Sequence, residues 1–279
     1  MPIVAFPVDP RLAATLGDAR LQAHHAAQLA VAAGISYLEH QPDDSHTNLE
    51  WLPSLGALAS HPVPSTQPFR VALQISELSL HVLDNQNVTI AVCPLSGKTV
   101  ADAAEWLGAQ VAARGADAAR LTLNKHYTIP PHAVDSGAAF NTADHTAFDQ
   151  LARWFAGGQE LLEQSSAAHH GTAVRCWPHH FDIATLLRTS SGSTIGVGME
   201  PGDIYYNEPY YYVNVNPPPA QPLGVELSGR GEWHTNEWFG AVLRGERLSG
   251  DGDAQRAQIQ SFIGSATSAY LLAETSASH

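Results

Sequence analysis

From Trp177 to Asn216 the residue character alternates with a period of two, and this constrains the fold more than any other feature of the chain. Side chains two apart on an extended strand leave the same side of a sheet. A turn at Ser190–Ser193 would pair Ile183–Thr189 with Thr194–Met199, setting Ala184 opposite Gly198 and Asp182 near Glu200. One face of this hairpin carries Phe181, Ile183, Leu187, Ile195, Val197 and Met199, and must be buried. The other carries His180, Asp182, Ala184, Gly196, Gly198 and Glu200. The stretch Tyr210–Asn216 alternates in the same way, with Tyr210, Tyr212, Asn214 and Asn216 set against Tyr211, Val213 and Val215.

Local signals place the remaining elements. Asp9-Pro10 has the form of a helix N-cap followed by proline, and an Ala-rich helix is expected over Arg11–Ala33, broken near Gly17 and ending at Gly34. The apolar segment Leu49–Ala59 is expected to be a short helix. Strands are expected at Phe69–Ile75, Leu78–Leu83 and Val88–Val92, the last two joined by a turn at Asp84–Asn87. Thr99, with Asp102 three residues on, opens a helix that stops at Gly115. A helix over Asp144–Gln164 carries Phe148, Leu151, Phe155 and Leu162 on one stripe. Beyond it, strands at Ala173–Trp177 and near Val225 and helices at Asn236–Leu243 and Asp253–Leu272 complete the chain.

These elements predict an α+β protein with antiparallel or mixed sheets and packed helices. The run His46-Thr-Asn-Leu-Glu-Trp51 is echoed by His234-Thr-Asn-Glu-Trp238, which hints at two pseudo-repeated α+β halves. The expected division is 1–143, then 144–272 carrying the candidate site, then a disordered tail over 273–279.

The formal net charge is −13, and only Lys98 and Lys125 are lysines among 14 basic residues. Nucleic acid and anionic membrane surfaces are therefore not expected as partners, because each must be met by clustered cations. No apolar stretch approaches a membrane span, and MPIVAFPVDPRL lacks a basic signal-peptide start, so a cytoplasmic location is expected. Cys93 and Cys176 have no C-x-x-C spacing and are expected as reduced, buried thiols. Assembly into a homo-oligomer is compatible with the sequence.

Histidine is over-represented at 15 residues, with adjacent pairs at His24-His25, His169-His170 and His179-His180. On the polar face of the hairpin, two neighbouring carboxylates repel unless a cation or a shared proton lies between them. A histidine beside them completes a divalent-metal set, and the glycines leave room for a ligand. His180 and Asp182 are expected as metal ligands, with His234 reaching in from another loop. Glu200 is a third ligand or the general base. Trp177, Tyr210, Tyr212, Asn214 and Trp238 would line the pocket, with Arg244 as a further ligand contact. The leading expectation is a metal-dependent enzyme or metal-assisted small-molecule binder, with Fe or Zn as the ion. The alternative is a metal-free small-molecule-binding protein, in which the same carboxylates and histidine support a ligand held by the tyrosines.

His180-Phe-Asp182, then His234, then Arg244 ten residues later, resembles the motif of the Fe(II)/2-oxoglutarate oxygenases. The resemblance implies that His180, Asp182 and His234 hold iron and that Arg244 binds the 2-oxoglutarate carboxylate. In that family the second histidine and the arginine lie on barrel strands, whereas Asn236–Leu243 reads here as a helix. A G-x-S-x-G elbow, a Walker-type loop and an H-E-x-x-H pair are absent from the sequence. Arg175-Cys-Trp-Pro-His-His-Phe-Asp-Ile-Ala-Thr-Leu-Leu187, Pro201-Gly-Asp203 and Glu208-Pro-Tyr-Tyr-Tyr-Val213 together resemble an uncharacterised bacterial family, most clearly over 172–245. That family has no assigned activity, so the resemblance implies a site-like motif and leaves the reaction open.

Overall fold

The computed structural model describes residues 3–189, 192–219 and 223–277, of which 274–277 are described by backbone alone. Four α-helices and two antiparallel sheets make it an α+β protein among the described residues. The chain divides into two compact units. The first comprises Met1–Ile3, Leu16–Ala152 and Arg175–Phe181; the second comprises Val4–Thr15, Arg153–Val174 and Asp182–His279.

The first unit opens with α1, Gly17–Tyr37. Every residue from Gln22 to Gly34 is buried, so this helix has no solvent stripe and its polar side chains need internal partners. His24 Nε2 and Gln28 Nε2 both bond the Pro178 carbonyl, at 2.8 and 3.1 Å, and His25 Nε2 bonds the Pro130 carbonyl at 2.9 Å. Helix α1 packs on a five-stranded meander in sequence order: β1 (Glu50–Leu52), β2 (Ala57–Ala59), β3 (Phe69–Gln74), β4 (Ser79–Asp84) and β5 (Thr89–Pro94). Phe69, Val71, Leu73, Leu80 and Val82 of the central strands are fully buried.

Several local signals take the form expected of them. The Asp84 carboxylate accepts from Gln86 N and Val88 N, both at 2.8 Å, and makes the β4–β5 turn. Helix α2 (Val100–Ala113) begins with a reciprocal box in which Asp102 N donates to Thr99 Oγ1 and Thr99 N to the Asp102 carboxylate. It ends at Gly115, which has a left-handed φ of 78°. Helix α3 (His145–His169) starts in this unit, runs into the second, and extends past the Gln164 end expected from its stripe. The last strand of the unit is β6 (Arg175–Trp177), where Leu49 and Cys176 exchange backbone hydrogen bonds of 2.9 and 2.8 Å.

Leu49–Ala59 is a correction to the sequence reading. It forms the β1–β2 hairpin, closed at Gly56 with φ 64°, because β2 finds a partner in β3 and Glu50 finds one in Arg70 at 2.6 Å. Both partners lie too far along the chain to register in a local apolar pattern. Cys93 and Cys176 are both buried.

In the second unit, five strands pair in the order β10-β11-β9-β8-β7: β7 (Asp182–Arg188), β8 (Thr194–Glu200), β9 (Tyr210–Asn216), β10 (Glu232–His234) and β11 (Gly240–Arg244). The β7–β8 register sets Ala184 against Gly198 and Ile183 against Met199, as the alternation predicts. Ser190 and Ser191 of the connecting turn lie outside the described residues. The odd-numbered face, with Ile183, Val197, Met199, Tyr211 and Val213 fully buried, lies beneath α3 and α4 (Gly252–Ala277). Gly158 of α3 is required by that packing, since a Cβ there would stand 2.9 Å from Ile183 Cγ2.

Three further expectations in this unit are corrected. Gly240–Arg244 is strand β11 and not a helix, because Ala241–Arg244 pairs with Tyr210–Val213 of β9. Residues 223–227, where a strand was expected, are irregular. Helix α4 continues through Ala277 beyond the Leu272 end expected for it; Ser278 and His279 lie outside the described residues. No described helix is long and apolar enough to cross a membrane.

Candidate functional site

The even-numbered face of the second sheet, opposite the two helices, collects the polar residues. Cross-strand partners in an antiparallel sheet share a face. The pairings therefore set Glu200, Tyr210 and Arg244 in one row and Ala184, Gly198, Tyr212, Val242 and Glu232 in the next. One step beyond Ile183↔Met199, Asp182 falls into the row of Glu200. Both carboxylates are buried, at 7% and 5% exposure.

The phenols are held by hydrogen bonds. Tyr212 OH donates to Asp182 Oδ2 at 2.5 Å, and Tyr210 OH donates to Asp203 Oδ2 at 2.8 Å. Burial pushes the Tyr212 hydroxyl well above its ordinary range, and the neighbouring Asp182 and Glu200 charges add to that. Tyr210 is raised for the same reason, with Glu200 and Asp203 contributing. Both phenols therefore stay protonated and act as donors. A Cβ built on Gly198 would stand 2.4 Å from Tyr212 Cζ, and one on Gly196 2.4 Å from Asn214 Oδ1. The room left by these glycines, expected to admit a ligand, is taken by the protein's own side chains. Tyr212 and Asn214 nevertheless remain partly exposed.

His234 ends β10 and is buried, with both ring nitrogens engaged. Asn236 O, 2.7 Å from Nε2, can only accept, so Nε2 carries the proton. Nδ1 then accepts from Tyr206 OH at 2.8 Å. The ring stacks on Trp238 at 4.4 Å and meets the edges of Tyr205 and Tyr206 at 5.1 and 5.5 Å. A metal ion could reach His234 only by displacing Tyr206 or the Asn236 carbonyl. Arg244 lies over the Tyr206 ring and is surrounded by Glu246 at 2.7 Å, Glu232 at 3.1 Å and Glu208 at 3.6 Å. Its guanidinium is committed to these carboxylates.

Asp182, Glu200, Tyr210, Tyr212, Asn214, His234, Trp238 and Arg244 all belong to the second unit, whereas Trp177 and His180 belong to the first. His180 is not on a strand with Asp182. It sits exposed in the turn 178–181, beside the His179 ring at 4.5 Å. Phe181 explains the break: its φ is 71°, a left-handed value rare for a bulky residue, and it ends the two-residue alternation before β7 begins. The Phe181 ring is buried and stacks on His24 at 5.0 Å. Among the described residues, no group of three or more His, Cys, Asp or Glu side chains is arranged to hold a metal ion.

Asp203 and Tyr206 are parts of the site that periodicity did not identify. Their one sequence signal was Pro201-Gly-Asp203 within the bacterial-family motif. Away from this face, a cavity of about 410 Å³ lies along 123–129 in the first unit, with Lys125, Tyr127 and Asp135 in its wall. No family model matches the chain, and no curated protein or solved structure matches it.

Proposed function

We propose that this protein binds a small organic molecule on the tyrosine-bearing face of the second unit's sheet. The observation that supports this best is the 2.5 Å bond from Tyr212 to Asp182, which fixes a protonated phenol across Gly198 on a rigid strand. Preorganised polar groups among aromatic rings are what small-molecule recognition needs. The partly exposed Tyr212, Asn214 and Trp238 provide ring surface and an amide for an uncharged or weakly polar ligand. A cytoplasmic, bacterial setting is part of the same proposal.

A metal-assisted form is the second reading, favoured by Asp182 and Glu200 standing in one row of the same face. There Fe or Zn would be held by Asp182, with Glu200 as a further ligand or the general base. The 2-oxoglutarate variant would further require Arg244 to leave its three carboxylates.

A thermal-shift screen of metabolites against untagged protein, with elemental analysis of the same sample, tests both readings. Compounds should stabilise the wild type and lose that effect in Tyr212→Phe, which keeps the ring and removes the anchoring hydroxyl. Stabilisation unchanged in the variant, or none in the screen, would refute binding at this face. Stoichiometric Fe or Zn lost on Asp182→Ala would favour the metal-assisted form.

A further inference from the structure

The first unit has a cavity built against α1. Residues 121–132 have no regular structure, yet four α1 side chains pin them. Ser36 Oγ accepts from Thr122 N at 2.9 Å, and Gln28 Oε1 accepts from Tyr127 OH at 2.9 Å. His25 Nε2 donates to the Pro130 carbonyl at 2.9 Å, and His132 Nε2 donates to Asp18 Oδ1 at 3.0 Å. The contacts descend α1 from Ser36 to Asp18 as the segment runs from Thr122 to His132, so it is held along its whole length. The cavity beside it, of about 410 Å³, falls within the range of about 300–1,000 Å³ usual for small-molecule sites.

The wall carries one charge of each sign, Lys125 and Asp135, with Leu123, Tyr127 and Ile129 supplying apolar and ring surface. Lys125 is partly buried, and its ammonium makes no hydrogen bond or ion pair among the described residues, in a chain of net charge −13. His25 Nδ1 lies 3.9 Å from Asp135 Oδ1. The imidazole is 4% exposed and burial holds its pKa below 6.5, so at neutral pH it carries one proton. The Pro130 carbonyl can only accept, which puts that proton on Nε2 and leaves Nδ1 a bare acceptor. A lone pair and a carboxylate therefore face each other, too far apart for a direct hydrogen bond and with no donor to either among the described residues. An ammonium group set against Asp135 would supply N–H donors to both.

We propose that this cavity is a ligand site distinct from the tyrosine face, taking a zwitterionic amino acid with an apolar side chain. Lys125 takes the carboxylate, Asp135 and His25 Nδ1 take the ammonium, and Leu123, Tyr127 and Ile129 meet the side chain. Equal and opposite wall charges favour a ligand of zero net charge whose own charges are separated. A simple cation or anion leaves one wall charge unanswered. Because α1 already pins the segment, binding has little backbone to order.

Phenylalanine, phenethylamine and 3-phenylpropionate share one ring and differ only in which charged groups they carry. Isothermal titration of the full-length protein with each tests the proposal. Phenylalanine should bind about tenfold more tightly than either analogue, the worth of a hydrogen bond to a charged group. Lys125→Met keeps the length of the side chain and should lower phenylalanine to the affinity of phenethylamine. Asp135→Asn should lower it to that of 3-phenylpropionate. Neither side chain supports the fold through a hydrogen bond, so both variants should fold, which urea unfolding checks; if one does not, the other decides. The proposal is overturned if phenylalanine does not bind at millimolar concentration, if either analogue binds as tightly, or if a folded variant retains the wild-type affinity. Tyr212→Phe should leave phenylalanine binding unchanged; its loss there would put the probe on the tyrosine face and overturn this site.

Discussion

Mild acid should destabilise this protein through His24. The imidazole is 3% exposed, stacked on Phe181 at 5.0 Å, and donates from Nε2 to the Pro178 carbonyl at 2.8 Å. Burial pushes its pKa down from 6.5 to about 3. An unfolded chain therefore protonates His24 near pH 6.5, while the folded one resists until near pH 3. Between those values the unfolded state holds more protons, so stability is complete above about pH 6.5 and falls as the pH drops. At 1.36 kcal/mol per pH unit, His24 alone costs about 2 kcal/mol at pH 5. That is a substantial part of a typical folding free energy of about 5–15 kcal/mol. His25, His61 and His81 are also lowered by burial and act in the same direction. Urea unfolding of the wild type and His24→Gln at pH 7.5 and pH 5.0 isolates the His24 share. Glutamine keeps a donor for Pro178 O but does not titrate, and Gln28 continues to bond that carbonyl at 3.1 Å. The loss of stability between the two pH values should shrink by about 2 kcal/mol in the variant. An equal loss in both proteins would refute the assignment of His24 as a buried neutral imidazole.

Gly198→Ala should destabilise the second unit by about 1–3 kcal/mol, because the new Cβ meets the Tyr212 ring. In a double-mutant cycle read by urea unfolding, Tyr212→Ala should relieve most of that cost; additive effects would show that the ring does not lie across the glycine. Thr99→Ala should cost about 1 kcal/mol by removing the acceptor for Asp102 N at the start of α2. An unchanged urea midpoint for that variant would mean that the capping box is not formed in solution.

Local interactions were legible in the sequence. The α2 cap at Thr99 and Asp102, its stop at Gly115 and the turn at Asp84 each depend on residues within a few positions of one another. The Ala184↔Gly198 register was readable because a shift of one residue would have exposed Ile183, Val197 and Met199. Tertiary structure decided what depended on distant partners. Leu49–Ala59 and Gly240–Arg244 are strands because β3 and β9 offer them hydrogen-bonding edges, which no local apolar count can register. The role of Gly198 reversed once Tyr212, fourteen residues on, was found lying across it. His180 left the strand because Phe181 takes a left-handed φ of 71°, with its ring buried against His24 of α1, more than 150 residues earlier. Period-two alternation holds only while the backbone stays extended, and whether it does so at Phe181 is settled by packing that the neighbouring residues do not encode.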